Sequence, residues 1–217
     1  MFAKKSRQKT VGADRADTRK AILDAAAEMF AAHGYRAATI REICAAAGAN
    51  IALVSRYFGS KQGLYAEVCR SLFNGIAAPL ASLDHGVATD SERRAAIREW
   101  IGRAIHITSA ARMPSVNIAG IFRHEMIAPS AMHEYLKREF LEPVFNCFRR
   151  LVKFDGDPDE AKTLEITSSV WSQVSIYALL ADIWQRPFRP SGISKKQWIE
   201  RIADGIAADV FARLERK

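Results

Sequence analysis

Cysteine is scarce in this 217-residue chain, which has only Cys44, Cys69 and Cys147. The three are odd in number, far apart, and each falls in an apolar helical pattern. A disulfide framework or a metal cluster normally shows paired, closely spaced cysteines. We therefore expect three reduced core residues in a cytosolic protein, with no metal bound; a redox or metal role is the alternative interpretation.

Long apolar runs are also missing. The longest uncharged stretch, residues 166–181, is interrupted by Ser, Thr and Gln, and it is shorter than the about 20 apolar residues that cross a bilayer. The basic, polar N-terminal segment lacks the apolar core of a secretory signal. We expect neither a membrane partner nor export, and hence a cytoplasmic protein.

Motifs of enzyme active sites are incomplete. His124-Glu125 begins like the zinc-protease pattern H-E-x-x-H, but position 128 is alanine. Gly59-Ser60-Lys61 lacks the preceding glycine of a phosphate-binding loop, and the patterns C-x-x-C, G-x-S-x-G and G-x-G-x-x-G do not occur. We expect no catalytic residue and no cofactor. An α-helical enzyme is the alternative function.

Alternating strand patterns and internal repeats are absent too. The chain is 49% hydrophobic and 26% charged, as in ordinary globular proteins. Its apolar residues recur at helical spacing, so we predict an all-α protein of about nine helices. A first boundary is predicted near residue 76, with a three-helix domain over 17–65 whose last helix continues to about 76, and a helical domain over 77–217.

The stretch from Thr39 to Lys61 predicts two short helices joined by a tight turn. Thr39 and Glu42 form a T-x-x-E capping box at the start of the first helix. Gly48 suits the turn, Asn50 can cap the second helix, and Ser60 can cap a third. Short helix, glycine turn and second short helix make a helix-turn-helix, whose second helix enters the DNA major groove.

Positive charge is concentrated around this motif. Residues 1–65 contain eleven Lys and Arg against five Asp and Glu, a net charge of +6 out of +8 for the whole chain. A double-stranded DNA partner requires this excess. Residues 1–16 lack periodicity and predict a flexible basic arm, which either follows the DNA backbone or is a solvated tail.

From about Thr18 to Tyr65 the sequence resembles the TetR family of transcriptional regulators, and residues 49–65 are similar to its CecR-type branch. Ser55 stands where that family usually has tyrosine. A helical hairpin buried in a larger domain is the alternative interpretation. Periodicity and the resemblance together predict these DNA-binding residues: Thr39, Arg41, Asn50, Ala52, Leu53, Ser55, Arg56, Tyr57 and Lys61.

Large apolar side chains mixed with polar groups occupy residues 100–184, a composition typical of a small-molecule cavity. In TetR-like regulators this region holds the inducer, so the resemblance implies a small apolar or aromatic effector. Core packing, and a DNA-binding protein without an effector, are the alternatives. The candidate effector-binding residues are Trp100, His106, Phe122, Arg123, His124, Met126, Phe140, Trp171 and Tyr177.

The last helix has an apolar stripe wider than packing within one subunit needs. It suits a four-helix interface between two copies, and the resemblance implies such a homodimer. A purely intramolecular bundle is the alternative. The candidate dimerisation residues are Val170, Val174, Trp198, Ile202, Ile206, Val210 and Phe211. The expected function is a ligand-responsive repressor that binds a palindromic operator as a homodimer.

Overall fold

The structure, a computed structural model, describes residues 3–109, 118–153, 158–179 and 189–215. Over these ranges it contains helices and no strand, which confirms the predicted all-α class. The α-helices are α1 (Ala3–Ala37), α2 (Ile40–Ala46), α3 (Ile51–Phe58), α4 (Lys61–Ala81), α5 (Asp90–Ser109), α6 (Ile118–Ile127), α7 (His133–Leu136), α8 (Glu142–Val152), α9 (Glu160–Leu179) and α10 (Lys195–Glu215).

The helices form two compact units. Unit 1 comprises residues 1–72 and 112–135, and unit 2 comprises residues 73–111 and 136–217. This division differs from the single boundary predicted near residue 76. The segment 112–135, expected in the C-terminal domain, belongs with the helix-turn-helix because α6 packs along α1.

The predicted helix caps are confirmed. Thr39 and Glu42 exchange both bonds of a capping box at the start of α2. The Asn50 side chain accepts a hydrogen bond from the Ala52 N–H (2.9 Å), and the Gly63 N–H donates to Ser60 Oγ (3.1 Å). These local bonds satisfy N–H groups that a helix start leaves unpaired, so each start is determined by its own short sequence.

Two helix boundaries differ from prediction. Helix α1 begins at Ala3, so the residues expected as an irregular arm are helical. Gly34 has φ 75° and ψ 169° and marks a kink before the helix ends at Ala37. Helix α4 continues through Pro79 to Ala81 rather than ending near residue 76. Pro79 lies in the last turn, where its missing N–H removes a single helical bond.

Helices α5, α8, α9 and α10 build the core of unit 2. Trp100 and Phe148 lie at its centre, with ring centroids 4.5 Å apart and at most 1% of either side chain exposed. Val174 and Ala207 bring α9 and α10 into the same cluster. Aliphatic and aromatic side chains from four helices therefore hold this unit together by apolar burial.

A π-helical turn, Lys137–Leu141, connects α7 to α8. Its Glu142 N–H donates to the Lys137 carbonyl five residues earlier. Pro143 follows in the first turn of α8, where it has no N–H to donate. One wider turn thus lies immediately before this proline.

Candidate nucleic-acid interface

Helix α3 presents a polar, small-residue surface. Asn50, Ala52, Ser55 and Arg56 are exposed, Leu53 and Tyr57 are half-buried, and Val54 is 2% exposed. An eight-residue α-helix is about 12 Å long, which matches the width of the B-DNA major groove. The exposed face of α3 has the dimensions and the small side chains that close approach to base edges requires.

Ile51 departs from the prediction. The sequence pattern suggests that Ile51, Val54 and Phe58 pack together against α2, but Ile51 is 52% exposed. It is the first residue of α3, and the prediction of a buried Ile51 is wrong. The DNA-binding residues predicted from sequence omit it.

The start of α2 adds two exposed side chains, Thr39 and Arg41. Thr39 Oγ1 donates to Glu42 Oε2 (2.7 Å) and accepts from the Glu42 N–H (3.2 Å). These bonds hold the pKa of Glu42 below its ordinary value. The hydroxyl of Thr39 therefore has a fixed position, whereas Arg41 is an exposed cation beside it.

Lys61 is held at the start of α4. Its Nζ donates to the Arg36 carbonyl (3.3 Å) and lies 4.6 Å from the centre of the Tyr35 ring. Burial lowers the pKa of this amine. An ammonium placed by one carbonyl and one ring face retains two donors, which suits a contact with a phosphate oxygen.

The end of α3 is attached to α1 and α4. The Arg19 guanidinium lies 5.0 Å from the centre of the Phe58 ring, and its Nη2 is 2.6 Å from Glu67 Oε1. Arg70 binds the other oxygen of the same carboxylate, at 2.5 Å. This charged cluster connects three helices and orients α3 relative to the rest of unit 1.

Helix α6 lies against the same domain. A Cβ at Gly120 would lie 2.5 Å from the Ala31 carbonyl oxygen, so only glycine allows this approach. Buried Glu125 accepts hydrogen bonds from Tyr65 Oη (3.0 Å) and from Ser130 N–H and Oγ (3.0 and 2.7 Å). Burial is the largest of the causes that raise the pKa of Tyr65. Neither Gly120 nor Tyr65–Glu125 was predicted, since their pairing depends on residues far apart in sequence.

The candidate effector residues fall in both units. In unit 1, Phe122 and His124 are half-buried while Arg123 and Met126 are exposed, and His124 Nε2 lies 3.1 Å from the Ala32 carbonyl oxygen. His124 thus contacts α1. A role for these four residues in effector binding stays a prediction.

The remaining effector candidates lie in unit 2. Trp100 and Phe140 are buried, Phe140 packing on Phe73 with centroids 5.3 Å apart. Trp171 is half-buried and packs on Phe145, and Tyr177 is also half-buried. His106 lines an open groove of about 520 Å³ between α5 and α10. The structure therefore brings Trp100 and Phe140 into the core and places His106 at the surface.

The candidate dimerisation residues divide by burial. Val170, Val174, Ile206 and Val210 are at most 6% exposed within their own chain. Trp198, Ile202 and Phe211 are half-buried, and Phe211 packs beneath the guanidinium of Arg94 (4.9 Å). A side chain enclosed by its own unit offers a second copy no surface, so the first four are core residues.

The residues that the structure describes lack two further features. They contain no cluster of three His, Cys, Asp or Glu side chains able to hold a metal ion. No helix in the same ranges is both long and apolar enough to cross a membrane. The three cysteines are free thiols and buried, and burial raises the pKa of each.

The chain is similar in sequence to known transcriptional regulators. The family model described as bacterial regulatory proteins, tetR family, matches residues 22–68. The transcriptional dual regulator CecR of Shigella flexneri is 31% identical over 140 residues, covering 62% of each chain. The transcriptional repressor AcnR of Corynebacterium glutamicum is 27% identical over 127 residues, covering 56% of this chain and 65% of AcnR. The alignments span less than two thirds of either relative.

Solved structures share the fold. The transcriptional regulator FadR of Bacillus subtilis, solved in complex with stearoyl-CoA, superposes with a TM-score of 0.65 at 11% identity, covering 91% of this chain and 100% of FadR. At that identity the likeness concerns the fold alone. The predicted family resemblance and its CecR branch are confirmed: residues 22–68, which contain the helix-turn-helix, match the tetR family of bacterial regulatory proteins.

Proposed function

We propose that this protein is a sequence-specific, double-stranded-DNA-binding transcriptional regulator of the cytoplasm. The observation that carries the proposal is α3, a capped helix with an exposed face of small and polar side chains, inside the residues that the family model matches. In this reading Ala52, Ser55 and Arg56 face base edges. Thr39, Arg41, Tyr57 and Lys61 contact the sugar-phosphate backbone, which positions the helix.

The protein acts as a homodimer, with the interface on the outer faces of α9 and α10. Along α9, Leu164, Ser168, Ser172 and Ile176 recur every four residues and are all exposed. Leu164 and Ile176 are large and apolar, and the serines between them allow close approach of another helix. A second copy would cover both apolar ends and form a four-helix interface.

Dimerisation is tested by Ile176→Glu, which places a charge on this face. Light scattering and operator titration should show a monomer with weaker DNA binding, since the two half-sites would be bound independently. Ile127→Glu is the matched control, because Ile127 is 72% exposed and lies in unit 1. A dimer unaffected by Ile176→Glu would contradict this choice of face.

A small effector binds in unit 2 and lowers DNA affinity. Among the described residues, Trp100 Nε1 and Ser175 Oγ are buried donors without a hydrogen-bond partner. Buried donors are normally paired, and a ligand with an apolar body and an acceptor oxygen would pair them. FadR of Bacillus subtilis, with the same fold, was solved with stearoyl-CoA. Thermal-shift screening of acyl compounds tests this, and a ligand that leaves DNA affinity unchanged contradicts it.

Repression is the proposed sign of regulation, because a dimer lying across a promoter excludes other proteins from it. AcnR is named a repressor and CecR a dual regulator. An effector-independent DNA-binding protein is the second candidate. If no compound shifted the melting temperature, this second candidate would be favoured, because the aromatic core around Trp100 and Phe148 is already filled by the protein's own side chains.

Selection of duplexes from a random pool tests the main proposal. A palindromic consensus is expected, and Arg56→Ala should weaken binding to it roughly tenfold. Arg138→Ala serves as a control, because Arg138 lies in unit 2 and its side chain is 72% exposed. Failure to enrich any sequence at low ionic strength would overturn the proposed function.

A further inference from the structure

Ile51 is an exposed apolar side chain at the start of α3. Among the described side chains of residues 16–74, it is the only large apolar one that is more than half exposed. A single exposed apolar residue on a protein surface is ordinary. This one lies on α3, the helix assigned to the DNA groove, where the groups that surround it can be compared with the chemistry of the groove.

The neighbours of Ile51 leave its side chain unshielded. Ser55, one turn further along the same face, is small and exposed, as is Ala52 beside it. Side chains lean toward the N-terminus of their helix, so at the first position of α3 the isoleucine projects past the helix start.

Ile51 can recognise only an apolar group. It has no donor or acceptor, and its β-branched side chain has one strongly preferred rotamer in a helix, which makes it a rigid probe. The major groove carries one apolar group, the C5-methyl of thymine; every other edge presents a donor or an acceptor. The neighbouring Asn50 already uses its side-chain oxygen to cap α3.

We infer that Ile51 is a specificity-determining residue that packs against the C5-methyl of one thymine in each half-site. The inference rests on the proposed function and deepens it, because it names the chemical group that α3 reads at its start. Recognition at this position follows the methyl group, not the hydrogen-bonding edge of the base.

Deoxyuridine tests the contact, because it differs from thymidine only by that methyl group. Each thymine of the selected operator is replaced in turn, symmetrically in both half-sites, and affinity is measured with the full-length protein. Replacement at one position should weaken binding roughly fourfold per half-site, about fifteenfold for both, which is the loss of affinity expected for one buried methyl group in each half-site. Ile51→Ala should bind the thymidine and deoxyuridine operators with affinities equal to within about twofold.

Ile127→Ala is the matched control: it removes the same atoms from an exposed site on α6 and should keep the full sensitivity to deoxyuridine. Circular dichroism of Ile51→Ala should match the parent, since the residue supports no core. If every deoxyuridine operator binds like its parent, or Ile51→Ala keeps the sensitivity, the inference fails and DNA binding stands. If no duplex is bound at all, the proposed function fails, and this inference with it.

Discussion

The two units bury polar groups in opposite ways. In unit 1, buried Glu125 joins separate elements, since it accepts from Tyr65 on α4 and from Ser130 beyond α6. In unit 2, the buried hydroxyls of Thr163 and Thr167 bond to carbonyls four residues earlier in their own stretch of chain. Directional bonds between elements permit one arrangement, whereas apolar packing tolerates several.

This difference fits the proposed division of roles. A DNA reader must keep α3 in a fixed orientation, and bonds that connect distant residues provide this. A ligand-binding unit benefits from a core that can repack. Among the described residues, the buried side-chain atoms without a hydrogen-bond partner are Trp100 Nε1, Arg149 Nε and Ser175 Oγ in unit 2, and His133 Nδ1 in unit 1. Substitutions matched between the units can break or sharpen this comparison.

The largest effect is expected from Glu125→Ala. It leaves the Tyr65 hydroxyl and both Ser130 donors buried and unpaired, which should lower the free energy of unfolding of unit 1 by about 4 kcal/mol. Hydrogen exchange, followed residue by residue, measures this change in the free energy of unfolding. Glu28→Ala, an exposed change on α1, should be neutral. Equal protection in both variants would show that the Glu125 network does not hold unit 1 together.

The next largest effect is expected from replacing one glycine in each unit by alanine, which should change the stability of the two units in opposite directions. Gly120→Ala would place Cβ 2.5 Å from the Ala31 carbonyl oxygen, and we expect destabilisation of about 3 kcal/mol. Gly102→Ala, on α5, would meet only the Ala203 Cβ at 3.8 Å, and should stabilise by about 0.5–1 kcal/mol. Denaturant titration measures both, with tryptophan fluorescence reporting on unit 2, because unit 1 has no tryptophan. Destabilisation by both substitutions to a similar extent would contradict the packing of α6 described above.

A serine pair isolates the hydrogen bonds. Ser130 Oγ donates to Glu125 and accepts from the Met132 N–H (3.0 Å), so Ser130→Ala should cost about 1–2 kcal/mol. Ser175 Oγ is buried and has no hydrogen-bond partner in the part of the chain that the structure describes, so Ser175→Ala should be neutral or slightly stabilising. Thermal melting compares them. A large loss for Ser175→Ala would mean that its hydroxyl is already paired.

The smallest difference concerns pH. Hydrogen bonds lower the pKa of Glu42 in unit 1, chiefly from the Thr39 side chain, and of Glu92 in unit 2, chiefly from the Ala88 N–H. A lowered folded-state pKa stabilises the fold above the unfolded value, about 4.3, and this stability is lost as pH falls through the folded pKa. Melting temperature should fall in that window, and less so in Glu42→Gln or Glu92→Gln. If the two substitutions leave the acid limb of the melting profile unchanged, these caps do not contribute to it.

The sequence predicts features that depend on a few neighbouring residues. The capping box of Thr39 and Glu42, the Asn50 cap and the Ser60 cap are local patterns, and each lies at its predicted position. The helical class follows from periodicity for the same reason. Interactions between neighbouring residues are sufficient to determine where these helices begin, and therefore to recognise the helix-turn-helix.

Other features depend on which helix packs against which. The sequence gives no local sign that α6 belongs with α1, because Gly120 and Ala31 are 89 positions apart. The predicted dimer contacts show the same dependence: Val174 and Val210 have the spacing of an interface, and both are buried in the core cluster of their own unit. Ile51 fits a packing pattern and is nonetheless exposed.

The π-helical turn determines the phase of the helix that follows. Leu136, Phe140, Val144, Phe148 and Val152 are all buried, at a spacing of four residues. In a regular α-helix each such step advances about 40° beyond a full turn, so the row would rotate away from the core by about 160° over its length. One wide turn absorbs part of that rotation. Loss of a single residue between 137 and 141 would therefore leave both helices intact but rotate α8 about its axis, so that its apolar row no longer faces the core.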